Sequence, residues 1–334
     1  MRRMLGVVAL LCASTLFVTP VASATHDPAD AAAGWLARQL VDGERFETVY
    51  DGVAYPDQGL TIDAVFAFAA ARAADDYADD AIDWLARPEI TTGYVGSGGE
   101  AYAGPHAKLL LAARVTGRDP AAFGGVDLEA GLLALLTPSG RFSDQSAWGD
   151  YSNAFTQSLA LLALDRTSAG APTTAVDFLV GTQCPDGGFP LFFGVTPCVS
   201  DVDSTAMVAQ ALRAVGRPLK AGQGLSWLVS VQRADGGFAV GTNDSNANST
   251  GLAAQALKGH RPVAAVKARQ FLKGLQVGCA GPVGNRGAIA YQATGFDPAT
   301  ATRATAQAIL GLAGVGLADL HSGGRNDAPV LTCA

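Results

Sequence analysis

The sequence has few of the residues on which metal and nucleic-acid chemistry depend. Its 334 residues include 4 histidines and 5 cysteines, and no C-x-x-C pair occurs. Because His26, His106, His260 and His321 are scattered along the chain, we expect no metal site and no cofactor. The net charge is −7 and basic residues form no tract. This excludes the extended basic surface that nucleic acid requires.

Long apolar runs are missing after the first 24 residues. At the N-terminus, Arg2 and Arg3 precede the apolar run 5–18, and residues 22–24 read A-S-A. These features predict a secretory signal peptide, 1–24. No later stretch is long and apolar enough to span a membrane. We therefore expect a secreted, monomeric protein in which residues 25–334 form one domain.

Four cysteines remain after the predicted cleavage: Cys184, Cys198, Cys279 and Cys333. An even number in an exported protein predicts two disulfides, for which three pairings are open. We favour Cys184 with Cys198 and Cys279 with Cys333, because this pairing closes one short loop and anchors the C-terminal tail. A loop of the shorter length stabilises a fold by roughly 3 kcal/mol.

An internal repeat organises the chain. An aromatic residue followed by leucine recurs at Trp35-Leu36, Trp84-Leu85, Phe178-Leu179, Trp227-Leu228 and Phe271-Leu272. The widest gap spans two periods, and Leu132-Leu133 lies near its middle. The chain thus divides into six units, roughly 29–72, 78–117, 125–166, 172–216, 220–259 and 263–314.

Each unit contains two helical patterns. The first ends in a glycine turn, as in "FLVGTQCPDGGF" (178–189) and "WLVSVQRADGGF" (227–238). The second is rich in Ala and Leu and apolar nearly all round, which is typical of a buried helix. Strand signals are weak. The pattern predicts an all-α fold, a closed (α/α)6 toroid of six helical hairpins, although an open solenoid could use the same repeats.

The two quoted segments resemble the repeat of the terpenoid cyclase and protein prenyltransferase superfamily. The match to the squalene-cyclase repeat includes Phe178, Leu179, Gln183, 187–189, Trp227, Leu228, Gln232 and 236–238. It is good over 175–260 and loose elsewhere. The resemblance implies an α/α toroid in which the repeat glutamine ties helix ends. It implies fold more strongly than chemistry.

The superfamily offers several chemistries. Its cyclases protonate a polyprene with D-x-D-D-T-A, and 201–206 read D-V-D-S-T-A, so Asp203 falls on the proton donor and Ser204 replaces the last carboxylate. Those cyclases have a second barrel and an aromatic-rich cavity, whereas this chain suffices for one barrel. Prenyltransferases hold zinc with Asp, Cys and His, and no Cys or His matches here. Cobalamin carriers have a second, ligand-covering domain that is missing here.

The repeats give Asp203 a structural interpretation. Aligning the second helices by their Ala-Leu patterns produces a column of helix N-cap types: Gly59, Gly104, Asn153, Asp203, Asn248 and Thr300. The fifth unit has "NANST" (246–250) at the position where the fourth unit has "DVDST" (201–205). We therefore predict that Asp203 caps a helix, with Asp201 in the preceding turn. An acid catalyst and a loose cation site at Asp201 and Asp203 stay open as alternatives.

One helical turn further along is a second column: Asp63, Lys108, Gln157, Met207, Leu252 and Ala304. If it faces the lumen, the lumen has a polar half and an apolar half, as a small-molecule site does. Asp63 and Lys108 should pair, because a lone buried charge is costly. His106, in a neighbouring column, is a further ligand-binding candidate.

Two long loops precede the third and fourth buried helices. They contain Trp148, Tyr151, Phe192 and Phe193, which we expect to line or cover the barrel mouth. The favoured hypothesis is a non-catalytic protein that binds an apolar small molecule or a cell-surface partner. One alternative is a class II terpenoid cyclase with Asp203 as general acid. The other is an (α/α)6 carbohydrate enzyme that uses Asp144 and Asp150.

Overall fold

The computed structural model describes residues 23–333, and helices dominate them. Within this range lie thirteen α-helices: α1 Pro28–Ala37, α2 Gln58–Ala71, α3 Asp75–Leu85, α4 Pro88–Val95, α5 Ala103–Thr116, α6 Leu128–Ala134, α7 Ala154–Leu164, α8 Thr173–Gly181, α9 Val202–Ala214, α10 Pro218–Val231, α11 Ala247–Leu257, α12 Pro262–Gly274 and α13 Pro298–Ala313. The predicted signal peptide lies outside the described residues except for Ser23 and Ala24.

Six helices, α2, α5, α7, α9, α11 and α13, form an inner layer. Each packs against the next in this order, and α13 packs against α2. Each outer helix from α3 onward lies next to an inner helix, as α10 lies against α9 and α12 against α11. The first helix, α1, packs against the last, α13. Helix α4, which the sequence did not predict, is an extra element that packs against α3 and α5.

A repeated backbone lock joins each glycine turn to the next inner helix. The N–H of the aromatic or aliphatic residue after the turn donates to a side-chain oxygen on that helix, at 2.8–3.0 Å. The pairs are Phe46 with Thr61, Phe142 with Gln157, Phe189 with Thr205, Phe238 with Thr250, and Ile289 with Thr305. We call the second member of each pair the lock residue. This hydrogen bond fixes the position of the inner helix, along its own axis, relative to the preceding turn.

Glutamines tie the turns to the next outer helix, as the resemblance implied. Gln183 Nε2 donates to the carbonyl of Gly187 at 2.8 Å and to that of Lys220 in α10 at 3.2 Å. Gln276 Nε2 makes the same kind of contact between its own turn and the Pro28 carbonyl of α1, at 2.8 Å. This contact ties the turn after α12 to the first helix, α1.

Two small sheets depart from the predicted all-helical pattern. Strands β2 (Glu47–Tyr50) and β3 (Val53–Pro56) form an antiparallel hairpin, and β1 (Ala24–Thr25) pairs in parallel with β4 (Val330–Leu331). The hairpin turns at Asp51 and Gly52, whose φ angles are 48° and 79°. An Asp-Gly turn with positive φ at both residues matches the twist of two antiparallel strands. The sequence contains this hairpin signal at Asp51-Gly52.

The described cysteines form two disulfides. Cys184 pairs with Cys198 and Cys279 with Cys333, each with a Cα–Cα distance of 5.6 Å. This is the pairing favoured from the sequence, and disulfides are typical of exported proteins. Among residues 23–333, no helix has the length and apolar character needed to cross a membrane.

Candidate functional site

A cavity of about 120 Å³ lies among the inner helices. Its polar lining consists of Asp63, Lys108, Gln255 and Gln307, and most of the remaining surface is aliphatic or aromatic. Leu317, from the segment that follows α13, also lines the cavity. A concave, mostly apolar space with a few converging polar groups is the usual form of a small-molecule site.

The lining is divided by position in the ring. Gln307, Asp63 and Lys108 lie on the consecutive helices α13, α2 and α5, and form what we call the polar wall. Leu159, Met207 and Leu252 lie on the consecutive helices α7, α9 and α11, and form the apolar wall. Five of these six residues stand two positions after the lock residue of their own helix. Lys108 is the exception, because α5 has no lock residue. The polar and apolar halves predicted from the sequence are therefore present, but their boundary differs.

The polar wall contains an ion pair. Lys108 Nζ lies 2.6 Å from Asp63 Oδ1 and donates to the Gly59 carbonyl at 2.8 Å. Both side chains are largely buried, with 18% and 16% exposed. Behind them lies Tyr94 of α4, whose pKa is raised by burial and further by the Asp63 and Asp57 carboxylates. The pair leaves the wall with no net charge, since each partner neutralises the other.

The predicted lumen column is wrong at two positions, Gln157 and Ala304. Neither residue lines the cavity, and Leu159 and Gln307 take their places. The Ala-Leu pattern used for the alignment repeats too closely to set the register of an apolar helix. The lock residues set it correctly, because each is fixed by a hydrogen bond to its turn.

Gln157 is a lock residue with a second role. Its Oε1 accepts from Phe142 N at 3.0 Å, and its Nε2 donates to the carbonyls of Gly140 and Ala175 at 2.9 and 3.0 Å. In the fourth unit two residues divide these contacts: Thr205 accepts from Phe189 N, and Gln183 donates to the two carbonyls. The glutamine of the fourth unit, Gln183, stands six residues before Phe189. The third unit has Leu136 at this position before Phe142. The long amide of Gln157 therefore replaces both the threonine and the glutamine.

His106 also lies away from the cavity lining. It is 5% exposed, and Nδ1 is 2.9 Å from the Tyr102 carbonyl one turn earlier. The imidazole packs against Gly131 of α6, where a Cβ would lie 2.7 Å from its Nε2. Burial lowers the pKa of His106, and the Tyr102 contact opposes this. No local sequence signal distinguishes this position from the lumen.

The predicted capping role of Asp203 is wrong. The N-cap of α9 is Asp201, whose Oδ1 accepts from Ser204 N at 2.8 Å, and that of α11 is Asn246, which accepts from Ser249 N at 2.9 Å. Of the predicted caps, Asn153 does cap α7. The predicted column lies two residues too late in the fourth and fifth units, which leaves Asp203 inside the first turn of its helix.

Asp203 is buried without full hydrogen bonding. Its Oδ1 has no partner among the described residues, and neither has Asn248 Oδ1 at the same position on α11. Burial raises the pKa of Asp203 to about 6; a hydrogen bond from Ser249 opposes the rise and the nearby Asp201 adds to it. A carboxyl group with this pKa carries a proton in mildly acidic solution and can donate it.

Exposed aromatic residues lie in the loops before the inner helices. Trp148, Tyr151 and Phe192 are 79%, 73% and 57% exposed. Phe193 instead packs edge-on against Phe178, with ring centroids 5.0 Å apart, and under the Arg141 guanidinium. The β2–β3 hairpin before α2 adds further exposed apolar side chains: Val49, Tyr50, Val53 and Tyr55.

Asp144 and Asp150 hold their own loop together. Asp144 accepts from the backbone N–H groups of Ala103 and Tyr151 at 2.8 and 3.1 Å. Asp150 lies 3.0 Å from Arg141. Burial acts to raise the pKa of Asp150, but hydrogen bonds and Arg141 lower it overall. A general acid of a glycosidase needs the opposite shift.

Solved structures share this architecture. A variant of the type II terpene cyclase MstE from Scytonema, in complex with geranylgeranyl dihydroxybenzoate, is 16% identical with a TM-score of 0.65, and the match covers 86% of this chain and 96% of that one. A protein from Actinoplanes is 16% identical with a TM-score of 0.62, covering 85% and 97%. An alpha-amylase from Clostridium perfringens is 10% identical with a TM-score of 0.64, covering 88% and 99%.

The chain has the same fold as these solved structures, among them a type II terpene cyclase and an alpha-amylase. No protein-family model and no curated protein sequence matches it. At these identities the structural likeness establishes the fold and leaves the chemistry to the site. The expectation that a terpene cyclase needs a second barrel does not hold, because a solved terpene cyclase chain has nearly the same extent as this one. Within residues 23–333, no group of three or more His, Cys, Asp or Glu side chains is placed to hold a metal ion.

Proposed function

We propose that this protein is a secreted, closed (α/α)6 toroid, formed by residues 25–334 as one domain, that binds a small apolar molecule in its lumen without transforming it. The observation that carries the proposal is the lumen cavity, with its neutral polar wall facing an apolar wall. The contacts of α13 with α2 and of α1 with α13 support closure. The disulfides and the N-terminal sequence pattern support secretion.

The size of the cavity limits the ligand. A cavity of about 150 Å³ lined by Leu, Ile and Phe stays dry and binds benzene. The lumen here is about 120 Å³, so it suits one ring or a short branched chain. A long polyprenyl chain would require the inner helices or the Leu317 segment to move.

A surface partner at the mouth is the other form of the binding hypothesis. The exposed rings of Trp148 and Tyr151 could act as anchors there, because large aromatic side chains dominate binding interfaces. The lumen is preferred because it combines shape with placed polar groups, whereas the loop aromatics are dispersed in sequence over separate loops.

Filling the lumen tests the proposal. The chain and its Met207→Trp variant would be produced in the secreting host, and bound molecules identified by native mass spectrometry and solvent extraction. Met207 is 3% exposed on the apolar wall, so the indole should occupy the lumen and displace the ligand. Leu219→Trp, at a site 86% exposed on α10, is the matched control and should retain the ligand. An adduct equally abundant in both variants, or in neither variant nor the parent, would contradict lumen binding.

A second candidate function is that of a type II terpene cyclase with Asp203 as general acid. The raised pKa of Asp203, its unpartnered Oδ1 and the shared fold favour it. Incubation with squalene or geranylgeranyl dihydroxybenzoate at pH 5 should then give a cyclised product, lost in Asp203→Asn. Because the acid must be protonated, the rate should fall above about pH 6. Absence of product with both substrates, in a folded chain, would count against this candidate.

A further inference from the structure

One lumen residue is buried without its hydrogen bonds. Gln255 lies on α11, five residues after the lock residue Thr250 and one turn beyond Leu252 of the apolar wall. It is 6% exposed, and its Oε1 has no hydrogen-bond partner among the described residues. A buried polar atom without a partner is costly, so such atoms are rare in folded proteins unless they serve a ligand or an ordered water.

The neighbouring helix provides a comparison. Gln210 stands at the same position on α9, five residues after its lock residue, and its Oε1 accepts from Leu317 N at 3.0 Å. The segment after α13 therefore satisfies one of two equivalent glutamines. It supplies no donor to Gln255, which lines the cavity instead.

The charges around the cavity indicate what kind of donor fits. Of the residues lining it, only Asp63 and Lys108 are ionisable, and they neutralise each other at 2.6 Å. A carboxylate or diphosphate group would meet the oxygens of Gln255 and Asp63 with no unpaired cation to balance its charge. A hydroxyl group meets no such cost, and it can donate to Gln255 Oε1.

We propose that the lumen ligand is a neutral apolar molecule with a hydroxyl group, and that the hydroxyl donates to Gln255 Oε1. This inference rests on the proposed function, since it specifies the ligand of the same cavity. It assigns Gln255 as a specificity-determining residue that selects alcohols over hydrocarbons and over anions.

Three ring-sized probes test this on the full chain: cyclohexanol, methylcyclohexane and cyclohexanecarboxylate, titrated by ligand-observed NMR. The measured quantity is the affinity ratio of cyclohexanol to methylcyclohexane. The ratio should fall about fivefold in Gln255→Met, which keeps the side-chain length and removes the acceptor. It should stay unchanged in Gln223→Met, the matched control at an exposed position on α10. Cyclohexanecarboxylate should bind at least about tenfold more weakly than cyclohexanol to the unmodified chain, a comparison that needs no variant.

The outcomes separate the two proposals. If both neutral probes bind, Met207→Trp blocks them and the ratio is the same in Gln255→Met, then water alone satisfies Gln255 and the hydroxyl inference is overturned while lumen binding stands. Binding of the carboxylate as tight as that of the alcohol would overturn it as well. If neither neutral probe binds, the proposed function itself fails.

Discussion

At the scale of single residues, burial determines what Asp203 does. Asp201 takes the capping contact, so Asp203 faces the cost of burying a carboxylate with one oxygen unpartnered. The repeat alignment predicts Asp203 as the cap and Asp201 in the preceding turn, whereas Asp201 is the cap and Asp203 lies in the first turn of α9. The two residues are separated by half a helical turn, and only the backbone geometry shows which of them precedes the helix.

The raised pKa of Asp203 predicts a pH-dependent stability. An unfolded aspartate has a pKa near 3.9, and in the folded chain the pKa is about 6. Between these values the folded state binds more protons, so the free energy of unfolding falls as pH rises from about 4 to 6 and stays lower above. Asp203→Asn removes this loss and should be more stable than the parent by about 2 to 3 kcal/mol at pH 7.5.

Urea unfolding at pH 3.5 and pH 7.5 measures the difference. At pH 3.5 the variant and the parent should have the same stability, because the carboxyl group is then protonated in both states. Asp244→Asn, at an exposed position before α11, controls for the change in net charge. A stability difference of equal size at both pH values would show that Asp203 does not titrate as described.

At the scale of helices and turns, the lock residues decide the register. Thr61, Thr205, Thr250 and Thr305 bind the residue after a glycine turn, and Gln157 does so in the third unit. The third unit therefore retains the geometry of the repeat without its sequence. An alignment of letters places Gln157 in the lumen, whereas its hydrogen bonds place it between turns.

The third unit should tolerate replacement of Gln157 by the threonine and glutamine that the fourth unit uses for the same contacts. Gln157→Thr supplies a hydroxyl that accepts from Phe142 N in place of the amide oxygen, and leaves the carbonyls of Gly140 and Ala175 unpaired, which should cost about 2 to 4 kcal/mol. Adding Leu136→Gln restores the repeat glutamine and should recover most of this loss. Denaturant unfolding of the parent, both single variants and the double variant gives the coupling. Strictly additive effects would contradict the compensation.

The ion pair between α2 and α5 gives a prediction about neighbouring helices. Lys108→Met leaves the Asp63 carboxylate largely buried beside Gly59 with no cation, and should cost about 2 kcal/mol after allowance for its partial exposure. Asp63→Leu combined with Lys108→Met should be close to the parent in stability. Thermal unfolding of Lys108→Met, Asp63→Leu and the double variant tests this. If the double variant is less stable than Lys108→Met, the ion pair stabilises the fold by more than the neutralisation of two buried charges.

At the scale of the whole molecule, the two ends of the described range 23–333 meet. The first helix packs on the last inner helix, β1 pairs with β4, and the disulfide Cys279–Cys333 anchors the tail beside them. Because α13 packs against α2, every inner helix has two inner neighbours. This buries apolar faces that an open array would expose at its ends.

The two disulfides should differ in their contribution to stability. In the chain-entropy model the bond between Cys279 and Cys333, 54 residues apart, stabilises by about 4 kcal/mol, and the bond between Cys184 and Cys198, 14 apart, by about 3 kcal/mol. Replacing each pair with serine and measuring urea unfolding tests the order. The tail disulfide should also protect the pairing of the two termini, which hydrogen exchange of Thr332 reports, because its N–H donates to the Thr25 carbonyl at 2.8 Å. Equal losses from both pairs would contradict the entropic account.

The sequence by itself determined the helical repeats, and it favoured the cysteine pairing and a lumen with polar and apolar halves. These follow from local periodicity, chain distance and residue type. Only the tertiary structure decided that Asp201 caps α9, that Gln157 binds turns, and that Leu159, Gln255 and Gln307 line the cavity. A helix that is apolar all round does not encode which side faces inward. That is fixed by hydrogen bonds to turns and by packing against neighbours far away in the chain.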